Sequence, residues 1–234
     1  IYSPPQCRER QTVCQLLLKN SQNRRGHEGR KARERGTMVT NSRELGMSRI
    51  DRLREELGGA HPAAANKIRD FIEPYIKAFI ENSPFAVMAS SNAKGDCDAS
   101  PKGGTPGFIK VLDQKTLLIP DIGGNRLFQS FQNFESNPKA GFIFMIPGVS
   151  VTARVNGTIS VIDEAEMEHR NIAPELNHSD DNANLIQGTL LNVDESYFHC
   201  PRSMQFADLW NTTTIITNAD KSLKDLMTTT KDAS

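Results

Sequence analysis

The stretch VTARVNGTISVI, residues 151–162, alternates apolar and polar side chains over its whole length. Val151, Ala153, Val155, Gly157, Ile159 and Val161 fall on one side, and Thr152, Arg154, Asn156, Thr158 and Ser160 on the other. Successive side chains of a strand point to opposite faces, so this pattern predicts a long strand with one face on a core and the other polar. Further strand candidates lie on both sides of it: FAVMAS (85–90), GFIKVL (107–112), KTLLIP (115–120), AGFIFMI (140–146) and NLIQGTLLNV (184–193). Gly, Pro, Asn and Asp clusters separate them. Short strands at this spacing, with few helices between them, point to a barrel rather than a parallel doubly wound sheet.

Helical periods flank and interrupt the strands. SRID (48–51) offers Ser48 as an N-cap with Asp51 three residues on, Ile50, Leu53 and Leu57 follow at helical spacing, and Gly58-Gly59 ends the run. In NKIRDFIEPYIKAFIENS (66–83) apolar residues recur at three and four, and Pro74 is expected to kink or break the helix. NRLFQSFQNFESNP (125–138) predicts a helix with Leu127, Phe128, Phe131 and Phe134 on one stripe. A charged helix is expected after Asp163, and ESYFHCPRSMQFADLW (195–210) reads as a last one.

Composition bounds the function. The 234 residues carry 28 Lys/Arg and 28 Asp/Glu, but residues 1–36 hold nine basic residues against three acidic ones. The remainder is therefore 19 against 25, about −6, a poor general binder of nucleic acid. Residues 1–46 read as a disordered basic tail or an artefactual extension, because the chain begins with Ile and its first methionine is Met38. A basic binding arm and a transit peptide are the other readings of that stretch. The expected domain is 47–212, followed by a tail at 213–234. No apolar run reaches the roughly 18 residues of a membrane span. Four scattered cysteines without metal spacing suit a reduced, cytoplasmic compartment. Five histidines without HxH or HExxH spacing give no reason to expect a metal centre.

Two stretches suit an anion. CDASPKGGTPGF (97–108) combines three glycines with Lys102, which brings bare backbone and a cation together, although a tight turn with a solvated lysine has the same composition. TLLIPDIGGNRLFQS (116–130) runs from a strand through a Gly-rich loop to a helix start near Asn125, where unsatisfied N–H groups and the helix dipole favour phosphate. Arg126 at a helix N-terminus is mildly unfavourable unless an anion arrives.

FIENSPFAVMAS, DASPKGGTPGF, LDQKTLLIPDIGGNRLFQSFQN, NPKAGFIFMIPG and ARVNG, in this order, resemble the pyridoxamine 5′-phosphate oxidase-like FMN-binding split-barrel family, and most its branch with an SPRG…PGF…LLIPD..GN pattern. The similarity spans roughly residues 48–212. It implies a mainly β fold with flanking helices, a six-stranded antiparallel split barrel, dimeric, with FMN in clefts at the subunit interface. It nominates Ser100, Lys102 and Gly103 on the phosphate side, Asn125 and Arg126 as further phosphate ligands, and Ser130 one turn on. Backbone around Pro120 and Asp121 would border the flavin, and Arg154 matches the family's RV.G arginine, with a solvated or dimer-facing strand arginine as the alternative. Lys102 stands where arginine is commoner, Gly104 where aspartate is common, and Ile122-Gly123 where Arg-Pro is usual. Lysine lacks the bidentate fork, so weaker FMN binding is implied. The C-terminal segment of true pyridoxamine phosphate oxidases has no counterpart here, so that reaction is not expected.

His199, Arg202 and Trp210 remain as substrate-pocket candidates; the adjacent His199 and Cys200 do not suggest a catalytic pair, since neighbours on a helix diverge. The function expected is an FMN-dependent oxidoreductase acting on an unknown small molecule, with NADH or NADPH as a candidate reductant and no assigned catalytic residue. A non-enzymatic flavin binder, and a split barrel using deazaflavin or haem, are the alternatives.

Overall fold

The computed structural model describes residues 47–123, 127–170, 172, 185–222 and 225. The chain divides into two compact units, Ile1–Gly58 and Gly59–Ser234. In the first, helix α1 (Arg49–Leu57) begins and ends where its capping residues place it: the Ser48 hydroxyl accepts from the Asp51 N–H at 3.2 Å, and Gly58 closes it at φ +82°. None of its residues is buried, Ile50, Leu53 and Leu57 included.

In the second unit a short helix α2 (Pro62–Ala65) precedes α3 (Pro74–Glu81). Pro74 breaks the expected 66–83 helix outright and becomes the first residue of α3, where its missing N–H costs nothing. The residues before it are not helical; Arg69 instead pairs with Ser196 as an isolated antiparallel bridge. Ile76 and Ile80 of α3, with Ile72 ahead of it, are buried in the main core.

Seven strands follow: β1 (Phe85–Ser91), β2 (Cys97–Gly103), β3 (Lys110–Val111), β4 (Thr116–Ile122), β5 (Lys139–Met145), β6 (Thr152–Ile162) and β7 (Leu185–His199). They form one sheet in the order β2-β1-β5-β6-β7-β4-β3, antiparallel throughout. The fold is the mainly β, split-barrel type with flanking helices; seven strands stand where six were expected, because residues 97–103 form a strand of their own, β2, while the GFIKVL stretch contributes only the two-residue β3. Phe108 and Ile109 ahead of it are buried core residues. Helix α4 (Gln129–Ser136) lies between β4 and β5, and α5 (Glu164–His169), capped by Asp163, between β6 and β7. Two short helices, α6 (Arg202–Phe206) and α7 (Thr212–Ala219), complete the described chain. None of the described helices is long and apolar enough to cross a membrane.

Strand β6 keeps the expected alternation from Ala153 to Ile159, with Ala153, Val155 and Gly157 buried, whereas Thr152, expected on the polar face, is buried as well. Val161, expected on the core side, is exposed, and Ile162 is buried instead, in a second small cluster with Leu118, Met167 and Leu190 beneath α5. The expected helix over 195–210 is a second correction. Glu195–His199 continue β7 along β6, with His199 opposite Thr152, and helix exists only over Arg202–Phe206. Within this run Phe198 lies opposite Ala153 of β6 and packs on α3, where it stacks on Tyr75 and meets Phe79 edge to face. Helix α4 is the third, starting at Gln129 rather than near Asn125. Its buried face is polar, with Ser130 and Asn133 inward, while Leu127 and Phe128 lie exposed before its first turn.

Candidate functional site at the split of the barrel

The glycine-rich stretch 97–108 is an edge strand followed by a turn. Its first seven residues are β2, which pairs with β1 alone. Pro101 is tolerated there because an edge strand has N–H groups outside the ladder. The glycines serve packing. A Cβ on Gly104 would stand 2.7 Å from the Phe108 Cβ, and Gly107 takes φ +84°, whereas Gly103 has ordinary room for one.

What β2 contributes is its inward side. Asp98, Ser100 and Lys102 are each half-buried, while Cys97, Ala99, Pro101 and Gly103 are exposed. The sheet curls far enough that the Lys102 Nζ lies 3.5 Å from the Asp121 Oδ1 on β4, although β4 is five strands away in sheet order and does not hydrogen-bond to β2. That gap between β2 and β4 is the split of the barrel. A cavity of about 380 Å³ occupies it, lined by Asp98, Ser100, Lys102, Asp121 and residues 127–131 at the start of α4.

Helix α4 is held there by polar contacts. Ser130 donates to the Asp98 carboxylate at 2.5 Å, Asn133 to the Ser90 hydroxyl at 2.9 Å, and Asn137 to the Ser91 carbonyl at 2.9 Å. Its N-cap residue, Phe128, sits in the left-handed region at φ +51° and supplies no side-chain cap. A bulky residue there is strained, and such strain persists only where surrounding structure imposes it. The first turn of α4, whose N-cap residue offers no side-chain acceptor, borders a cavity that is also lined by an ammonium and two hydroxyls.

The sequence-nominated residues separate accordingly. Ser100, Lys102, Asp121 and Ser130 line one cavity. Asn125 and Arg126 lie outside the described residues. Gly103 does not line the cavity, and Pro120 is buried in β4 opposite Gly188. Arg154 is on the other face of the sheet, in a row that runs Pro101, Val87, Ile143, Arg154, Tyr197 across five strands; its guanidinium donates to the Tyr197 hydroxyl at 3.0 Å. His199 ends β7, Arg202 packs over the Phe206 ring at 5.2 Å, and the Trp210 indole donates to the Val149 carbonyl at 3.1 Å; none of the three lines the cavity. Asp98 and Phe128 were not nominated. The period-two spacing of Asp98, Ser100 and Lys102 carried the signal for Asp98, but nothing local marks Phe128.

A family model described as pyridoxamine 5′-phosphate oxidase matches residues 72–193, just over half of the chain. The chain belongs to the pyridoxamine 5′-phosphate oxidase family. The matched region of this family member runs from Ile72 to Val193 and takes in all seven strands, β7 in its first part. Similar solved structures include HupZ from Group A Streptococcus, 19% identical over 54% of this chain and 93% of that one, with a TM-score of 0.40. HutZ, a haem storage protein from Vibrio cholerae, is 15% identical over 53% and 89%, TM-score 0.34. An F420 reductase is 11% identical over 53% and 94%, TM-score 0.33. No curated protein gave a significant match.

For a family whose resemblance implies FMN, the donor set at the split fits a phosphate: the Lys102 ammonium, the Ser100 hydroxyl and the first turn of α4. Asp98 and Asp121 are the unfavourable part, two carboxylates against one ammonium among the described lining residues. Among the described residues no group of three or more His, Cys, Asp and Glu is placed to hold a metal.

Proposed function

We propose that this family member binds FMN at the split of the barrel and acts as an oxidoreductase on a small molecule. The observation that carries the reading is the convergence of Lys102, Ser100, Ser130 and the uncapped start of α4 on one cavity. In this reading Lys102 and the α4 N-terminus take the phosphate, with Ser100 donating its hydroxyl while Ser130 stays on Asp98, and Arg126 supplies the second cation. The flavin, when bound, accepts and returns a hydride, with NADH or NADPH as reductant. The chain's own residues bind and orient it, and no side chain is assigned as acid or base. Cys97 and Cys200 are free, exposed thiols, which suits a reduced cytoplasmic compartment.

Absorption spectroscopy and mass spectrometry of the small molecule that co-purifies with the full chain test the identity of the cofactor. A flavin spectrum and the mass of FMN are expected; a Soret band or a deazaflavin mass sinks the reading. Arg126→Ala is expected to weaken FMN about 10- to 100-fold, from a lost charge-assisted hydrogen bond of about 1.5–3 kcal/mol. Lys102→Ala is expected to weaken it less, with riboflavin held as before in both.

A further inference from the structure

We infer that Asp121 sets the preference of this cavity between phosphorylated and unphosphorylated flavin, by occupying Lys102 until a phosphate takes its place. The inference rests on the flavin reading above and concerns a residue whose side chain that reading does not use.

Three features carry it. The Lys102 ammonium and Asp121 carboxylate are 3.5 Å apart, close enough to attract but longer than the roughly 2.7–2.9 Å of a charge-assisted hydrogen bond. Both side chains are largely shielded, at 19% and 11% exposure, so solvent screens the pair little. The second carboxylate of the cavity, Asp98, already accepts from Ser130 at 2.5 Å. Lysine swings on a four-carbon stem. The Asp121 backbone is held in the β4–β7 ladder, opposite Gln187, just before the register shifts at Ile122. The lysine is therefore the partner that moves. A phosphate entering the split meets an ammonium that is already neutralised, and a fixed carboxylate that repels it. Riboflavin, with no phosphate, meets neither cost.

The consequence is a low native preference for phosphate. The wild-type chain should bind FMN no more than about 30-fold better than riboflavin, about 2 kcal/mol. Asp121→Asn keeps the shape of the side chain and removes its charge. It should bind FMN about 10-fold more tightly and change riboflavin binding less than about twofold. In a Lys102→Met background the same substitution should gain clearly less, because no ammonium is then set free.

Flavin fluorescence titrations of the full chain with FMN and riboflavin, run alongside thermal melts, read all of this. Asp121→Ser is the second variant if Asp121→Asn does not fold. An Asp121→Asn protein that binds FMN as before or more weakly, or that gains equally for both flavins, overturns the inference. So does a wild-type preference for FMN above that limit of about 30-fold. If the wild-type chain and every variant bind neither flavin, the flavin reading itself fails and the inference falls with it.

Discussion

Lys115 shows what one side chain does for this fold. Its ammonium donates to the Asp70 carboxylate at 2.8 Å and also to the Asp70 carbonyl, tying the segment before α3 to the turn between β3 and β4. The backbone reinforces the tie, with Ile72 N–H donating to the Gln114 carbonyl and Val193 N–H to that of Lys115. The Lys115 hydrogen bond, and then its charge, hold the Asp70 carboxyl below its ordinary value. A carboxyl lowered in the folded state contributes stability above its unfolded-chain value, and loses it as pH falls through the folded one. Because Asp70 is exposed, solvent leaves that contribution small. Lys115→Ala should bring the Asp70 titration back to that of an ordinary aspartate, followed by NMR of its side chain. An unmoved midpoint would show that the pairing does not persist in solution.

At the scale of elements, β6 and β7 are fitted to each other around one glycine. Asn156 pairs with Glu195 and Gly157 with Val193, so Asp194 is the extra residue of a bulge in β7. A Cβ on Gly157 would lie 2.1 Å from the Asn192 carbonyl oxygen, a backbone atom that cannot step aside. Gly157→Ala should therefore cost about 2–3 kcal/mol in urea unfolding of the full chain. A cost below about 0.5 kcal/mol would show that the strands can separate there. Strand alternation in 151–162 and the caps of α1 and α5 were legible because they depend on neighbours in sequence. The phase change at Val161 and the strand over Glu195–His199 were not, because the first follows from Ile162 packing with Leu118 of β4 and Leu190 of β7, and the second from α3 and β6, all distant in the chain.

For the molecule as a whole, the outer face of the sheet bears on assembly. Phe85, Val87, Pro101, Ile143 and Met145 share it as cross-strand partners, with only partial burial in the single chain. A second copy would cover these side chains, and a stable dimer of ordinary size buries about 800 Å² on each subunit. Light scattering on the full chain and on one beginning at Met47 should both give twice the chain mass, because no described part of the sheet lies before Met47. A monomer that still binds flavin would remove the dimer from the reading.

The amino-acid sequence by itself determined the strand-rich class and most of the strand positions, since a period of two needs only local alternation. It also singled out Lys102, which lines the cavity. The partner of Lys102 was decided by tertiary structure alone. Nineteen positions separate it from Asp121 in the chain and five strands in the sheet. Only the accumulated twist and curl of those strands brings the two within 3.5 Å, and no local pattern encodes a distance summed over the whole sheet.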